Sequence, residues 1–214
     1  MDCKTFDSVV DIINEIALKH KIFSEKYYKD NPSFNLKTLT ITKIVDKTSY
    51  DNHFFDAVNK YIYTLLLNDL SDSIQSDCQN IIIRNRVKYE DSAFNKIYHY
   101  RFNKTNAAIP LKKCLTDLNG FRLIINAEFE YDELLEKLLN AKTLNVKFSR
   151  SYVRRDGIYR AIHLNVMNGK NTYFPWEIQI WKSQDEYKNE ESHKEHKAKR
   201  KYIDWTMSYL KKEV

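Results

Sequence analysis

Glycine is nearly missing from this chain. Only Gly120, Gly157 and Gly169 occur in 214 residues, and none belongs to a Gly-Lys-Ser/Thr run. A Walker A loop and a GxGxxG turn both need clustered glycines so that backbone can approach phosphate closely. Both are excluded, and any phosphate recognition falls to side chains. Cysteine is as sparse. Cys3, Cys78 and Cys114 form no CxxC pair and no disulfide framework, the pattern of a reducing compartment. No run of about 18 apolar residues occurs, and the start MDCKTFDS lacks a signal peptide's apolar core. These absences lead us to expect a soluble, cytoplasmic protein with no membrane partner.

What is present argues for a packed, cation-rich fold. The 15 Tyr, 11 Phe and 3 Trp speak against disorder. Lys plus Arg exceed Asp plus Glu by 35 to 29, a net charge of +6 that favours an anionic partner such as nucleotide, nucleic acid or phospholipid.

Phe6, Val9, Val10, Ile13, Ile16 and Ala17 recur at helical spacing and predict a helix over residues 6–22. Phe54, Val58, Tyr61, Ile62 and Leu65 predict another over 50–68. Ile81–Ile83 reads as a short buried strand with a basic exit through Arg84, Arg86 and Lys88. A helix over 91–101 follows, with Asp91 or Ser92 as its N-cap. Phe121–Ile125 is a strand, and Tyr131–Asn140 a short helix. Alternation predicts strands at Leu144–Phe148, Ile162–Val166 and Phe174–Ile180. The last 30 residues, without Gly or Pro, read as a long terminal helix. The fold class is α+β, a mixed β-sheet flanked by helices. Residues 1–75 form a helical N-terminal region packed on the core, and 76–214 the domain carrying the chemistry.

Alternation also decides which polar residues share a face. With Trp176, Ile178 and Ile180 inward, Glu177 and Gln179 project from the other side. With Ile162, Leu164 and Val166 inward, Tyr159, Ala161 and His163 project likewise. Asp117 lies in an Asp-Leu-Asn-Gly turn that delivers the chain into Phe121–Ile125. Asp117 and Glu177 could share a divalent cation; the alternative is that either caps a turn or pairs with a surface Arg. Arg86 and Lys88 leave a strand end on one face, and Ser92 and Lys96 share one face of the next helix. Together they make a cationic cradle for polyphosphate, helped by the helix N-terminus; the alternative is a solvated basic face. His193 and His196 come with no HExxH or cysteine pair, so no zinc site is expected.

Arg86-Val-Lys88 with Ser92 and Lys96, then Asp117-Leu-Asn-Gly-Phe-Arg122, then Tyr159-Arg-Ala-Ile-His163, Glu177-Ile-Gln-Ile and Glu191-Ser-His193 occur in that order. The set resembles the motifs of the RelA/SpoT synthetase family, in its order and close to its spacing, over about 81–200. The resemblance implies a nucleotidyltransferase-like sheet and a Mg2+-dependent transfer of pyrophosphate from ATP to a ribose 3′-hydroxyl. It places Arg86, Lys88, Ser92, Lys96 and Arg122 around ATP, and Asp117 and Glu177 on the metal. Glu177 would also activate the attacking hydroxyl. Tyr159 would stack on the acceptor base, with His163, Gln179 and His193 in support.

Departures refine the resemblance. Ile180 is followed by Trp181-Lys182 where the family usually reads Arg-Thr, and the usual Gly-Tyr is split into Gly157-Ile158-Tyr159. These features, and the basic run after His193, look like the toxic branch of small alarmone synthetases. That branch implies the CCA end of tRNA as acceptor and a protein antitoxin as partner. The alternatives are (p)ppGpp synthesis from GDP or GTP, and an inactive nucleotide- or RNA-binding module. Arg154, Arg155, Lys197 and Arg200 are the expected contacts to tRNA phosphates, with Arg150, Arg160, Lys194, Lys199 and Lys201 nearby.

Overall fold

The computed structural model describes residues 1–46, 49–68, 74, 78–104 and 108–198. Five strands form one sheet: β1 (Ile81–Val87), β2 (Asn119–Ile125), β3 (Phe148–Asp156), β4 (Tyr159–Val166) and β5 (Trp176–Lys182). Their order is β1-β2-β5-β4-β3, with β2 and β5 parallel and the other pairs antiparallel. The mixed sheet expected from the sequence is present. Gly157, at φ 60°, turns β3 into β4 in the left-handed region that suits glycine.

Strand parity gives the sheet an apolar and a polar face. Phe121, Leu123, Ile162, Leu164, Ile178 and Ile180 are buried on the apolar one. That face meets helices α1 (Cys3–Asp30) and α3 (Asn52–Leu67). The Trp176 indole donates to the Tyr61 hydroxyl at 2.9 Å, and Phe23 packs on both rings. Burying a large apolar side chain of this kind contributes about 1.5–3 kcal/mol. Helix α1 outruns its predicted end at residue 22 because Phe23, Ser24 and Tyr27 continue the buried stripe. The Asp2 and Asp51 carboxylates cap α1 and α3 by accepting from the Thr5 and Phe54 amides.

Several expectations need correction. Short helices α2 (Ile41–Ile44) and α5 (Leu111–Cys114) had no sequence signal we recognised. Helix α4 (Glu90–His99) starts one residue before Asp91, with Tyr89 as N-cap, and continues into a π turn over Tyr100–Lys104. Leu144 and Val146 belong to no strand: the Asn145 amide between them donates to Asn14 of α1 at 2.9 Å. The strand is instead the arginine-rich β3. Likewise β5 begins after Pro175, which has no amide hydrogen for a ladder. Helix α6 (Tyr131–Leu139) lies beside β3 and β4. A 3-10 turn (Ser183–Asp185) leads into α7 (Glu186–Ala198), the described part of the terminal helix. Among the described residues no helix is long and apolar enough to cross a membrane.

Candidate active site

Register arranges the polar face in rows. Arg86, Gly120, Glu177, Asn165 and Arg150 are successive cross-strand neighbours from β1 to β3. Arg84, Arg122, Gln179, His163 and Tyr152 form the next row. The sharing of one face by Glu177, Gln179, His163 and Tyr159, expected from alternation, is therefore present.

Glu177 sits mid-row and only 9% exposed. Its Oε1 accepts from His163 Nδ1 at 2.9 Å and its Oε2 from Gln179 Nε2 at 2.7 Å. The Tyr159 hydroxyl lies 3.0 Å from His163 Nε2 and 3.5 Å from Gln179 Oε1, so it braces both residues that hold Glu177. Burial pushes the Glu177 pKa up, but the hydrogen bonds from His163 and Gln179 together with the electrostatic pull of His163 hold the carboxyl below its ordinary value.

Asp117 occupies the turn before β2, where Lys88 Nζ donates to it at 2.5 Å and Lys96 Nζ at 2.9 Å. Burial raises its pKa, yet the two ammonium groups hold it well below the usual carboxylate range. Burial lowers the pKa of Lys88, which stands directly after β1, whereas Asp117 raises that of the more open Lys96 against the effect of burial. Ser92 lies one helical turn before Lys96 on α4. Lys88 and Lys96 thus converge on Asp117, with Arg86 near enough to bear on Lys88, and Asp117 lies close enough for its charge to bear on Glu177. Between Arg86 and Glu177 the floor is Gly120. A Cβ there would meet the Glu177 and Arg86 carbonyl oxygens at 3.8 and 3.9 Å, ordinary van der Waals contact.

Helix α7 closes the other end. The Arg122 guanidinium lies 3.6 Å over the Trp181 ring and pairs with Glu190. His193 stacks on Trp181 at 5.7 Å and meets Tyr159 edge-on at 5.2 Å. Burial, reinforced by Arg122, pushes His193 down to about 4, so its ring is neutral. Asn189 accepts from the Arg160 amide at 2.9 Å and donates to its carbonyl at 2.8 Å, pinning α7 to β4.

A family model described as a region found in RelA / SpoT proteins matches residues 85–203, more than half of the chain. The chain belongs to the RelA/SpoT family. It is an ATP pyrophosphokinase of the RelA/SpoT synthetase type. No curated protein sequence matches it. Similar solved structures include small alarmone synthetase 2 from Bacillus subtilis, at 19% identity and TM-score 0.42, covering 74% of this chain and 89% of that one. Small alarmone synthetase 1 from Bacillus subtilis follows at 20% identity and TM-score 0.40, covering 74% and 85%. The latter enzyme bound to its product pppGpp gives 17% identity and TM-score 0.42, covering 73% and 84%.

Within this RelA/SpoT chain two expected roles meet obstacles. Tyr159, expected to stack on the acceptor base, is 2% exposed. Trp181 and His193 stand against its ring, and the Arg154 guanidinium lies 5.2 Å over it. Arg155 points away from Arg154, because strand neighbours alternate, and pairs with Asp132 of α6. Lys197 belongs to α7, and Arg200 lies outside the described residues. Sequence reasoning did not place Asn165 and Tyr152 on this polar face, where register puts them beside Glu177 and His163. Extending the alternation from His163 by two residues would have found Asn165; nothing marked Tyr152, whose strand was misplaced.

Among the described residues, no group of three or more His, Cys, Asp or Glu could hold a metal unaided. Mg2+ needs none, since it is commonly held by one or two carboxylates together with substrate phosphates and water. Asp117 and Glu177 fit that role. Both carboxyls are held below their ordinary pKa values, the Asp117 charge bears on Glu177, and Lys88 and Lys96 stand against Asp117.

Proposed function

We propose that this pyrophosphokinase uses the 3′ end of tRNA as acceptor and acts as a translation-blocking toxin restrained by a protein antitoxin. The observation that supports this chemistry is Glu177: a buried carboxylate with a lowered pKa, held by His163 and Gln179 and near Asp117 with its two lysines, Lys88 and Lys96. The acceptor 3′-oxygen attacks the β-phosphorus of ATP, the bond from that phosphorus to the α,β-bridging oxygen breaks, and AMP leaves. Glu177 takes the hydroxyl proton, and His163 and Gln179 hold the carboxylate in place for it. Lys88, Lys96 and Arg86 bind the phosphates, with Ser92 at the start of α4. Mg2+, when held by Asp117 and Glu177, neutralises charge on the phosphoryl groups. The tRNA assignment is supported by Arg150 and Arg154 on the exposed β3 edge and by Trp181 standing where the family usually has Arg.

Incubation with γ-labelled ATP and either deacylated tRNA or GDP tests the reading. Label is expected in tRNA. Label in GDP, with tRNA inert, would instead make the protein an alarmone synthetase, and label in neither would leave only a binding module.

A further inference from the structure

On the β3 side of Glu177 the polar face carries groups that the pyrophosphate chemistry leaves unused. Asn165, the cross-strand neighbour of Glu177, is 2% exposed, and its Nδ2 has no hydrogen-bond partner. A buried amide donor left unpaired is unfavourable unless something arrives to accept from it. One strand further out, Tyr152 stacks on His163 with ring centroids 5.2 Å apart and planes 19° from parallel. The Arg150 guanidinium lies 4.1 Å over the Tyr152 ring. Tyr152 is half-buried and Arg150 exposed. His163, Tyr152 and Arg150 thus form a column that starts at the Glu177 carboxylate and ends in solvent. The ring of Tyr159 offers no comparable open face.

We propose that this column and Asn165 form the acceptor subsite. The base of a ribonucleoside stacks on the Tyr152–Arg150 end, and Asn165 donates to its ribose, which brings the sugar hydroxyls beside Glu177. The inference rests on the reading that Glu177 activates a ribose hydroxyl. Bases stack on guanidinium planes as they do on aromatic rings, and every base has a π-face, so the platform accepts any of them. Arg150, Tyr152 and Arg154 recur at every second residue of β3, all on the polar face. Since β3 is an edge strand, the cations and ring lie along an open border of the sheet. A free guanosine nucleotide and the 3′ end of an RNA both supply the required nucleoside.

Direct titration with GDP and with the trinucleotide cytidylyl-cytidylyl-adenosine separates those two sources. ATP binding by each variant serves as the control for folding. Tyr152→Ala is expected to weaken whichever probe the wild type binds by about 5- to 150-fold, and Tyr152→Phe by less than about twofold. Arg150→Ala, at an exposed position, is expected to weaken it too and stands in if Tyr152→Ala does not fold. Asn165→Leu should weaken the ribonucleoside but leave the weaker binding of its 2′,3′-dideoxy counterpart unchanged. Unaltered acceptor binding in Tyr152→Ala and Arg150→Ala overturns the subsite, as does a wild type that binds neither probe. Binding that behaves as described in a protein that transfers no pyrophosphate would sink the proposed function and leave the subsite standing.

Discussion

Glu177 is held by His163 and Gln179, and Tyr159 braces His163 in turn. Tyr159 accordingly has two separable roles, packing under α7 and fixing an imidazole. Tyr159→Phe should keep the fold and reduce turnover by about 2- to 13-fold, from the loss of one hydrogen bond of about 0.5–1.5 kcal/mol. Tyr159→Ala should instead cost about 3–5 kcal/mol of stability by opening a cavity beside Trp181. Denaturant unfolding and steady-state kinetics on both variants check this; an Ala variant as stable as wild type would contradict it. A second residue, His20, is fully buried in α1, where Nε2 donates to the Phe174 carbonyl at 2.9 Å and Nδ1 accepts from Asn168 at 2.6 Å. The neutral ring satisfies both partners, whereas a second ring proton would face the Asn168 donor. Burial pushes its pKa from 6.5 down to about 4. Between those values the unfolded chain binds the extra proton, so stability is full above pH 6.5 and falls as pH drops toward 4. The loss from this group between pH 7 and 5 should be about 2 kcal/mol. Unfolding of wild type and His20→Gln at both pH values tests it, and equal losses in the two proteins would refute the assignment.

At the scale of elements, legibility followed the apolar pattern. β4 and β5 bury every second residue against α1 and α3, so their polar faces could be read from the sequence, as could the turn carrying Asp117. In β3 the pattern fails: Ser149, Arg150, Ser151, Arg154 and Arg155 give no parity. Only the observed pairing with β4 shows that Arg154 faces the site and Arg155 faces α6. The burial of Tyr159 was equally unreadable, because it depends on α7 folding back through Asn189 and on Trp181 stacking with His193, contacts far apart in sequence. These geometries separate the two arginines. With tRNA as acceptor, Arg154→Ala should weaken modification and flatten its dependence on log salt by up to about 0.7 for a single-strand phosphate contact. Arg155→Ala should leave both nearly unchanged, since it removes only an exposed ion pair of at most about 1 kcal/mol. Equal effects of the two changes would show that parity does not govern the contact.

Across the whole molecule, one face of one sheet carries the site while the other is packed by the N-terminal helices, so most of the buried core lies away from the chemistry. That separation is why substitutions on the polar face can be read as changes in function. The account's central claim is that Glu177 and Asp117 carry pyrophosphate transfer from ATP. The most direct test follows AMP release and labelled acceptor together, from γ-labelled ATP, in wild type, Glu177→Gln and Asp117→Asn, with unfolding curves confirming that all three fold. The account predicts one AMP for each acceptor labelled by the wild type, and a loss well beyond tenfold (about 1.4 kcal/mol in the barrier) in each variant. A variant that stays within tenfold of wild type, or a wild type that yields ADP and inorganic phosphate without labelling an acceptor, would contradict it.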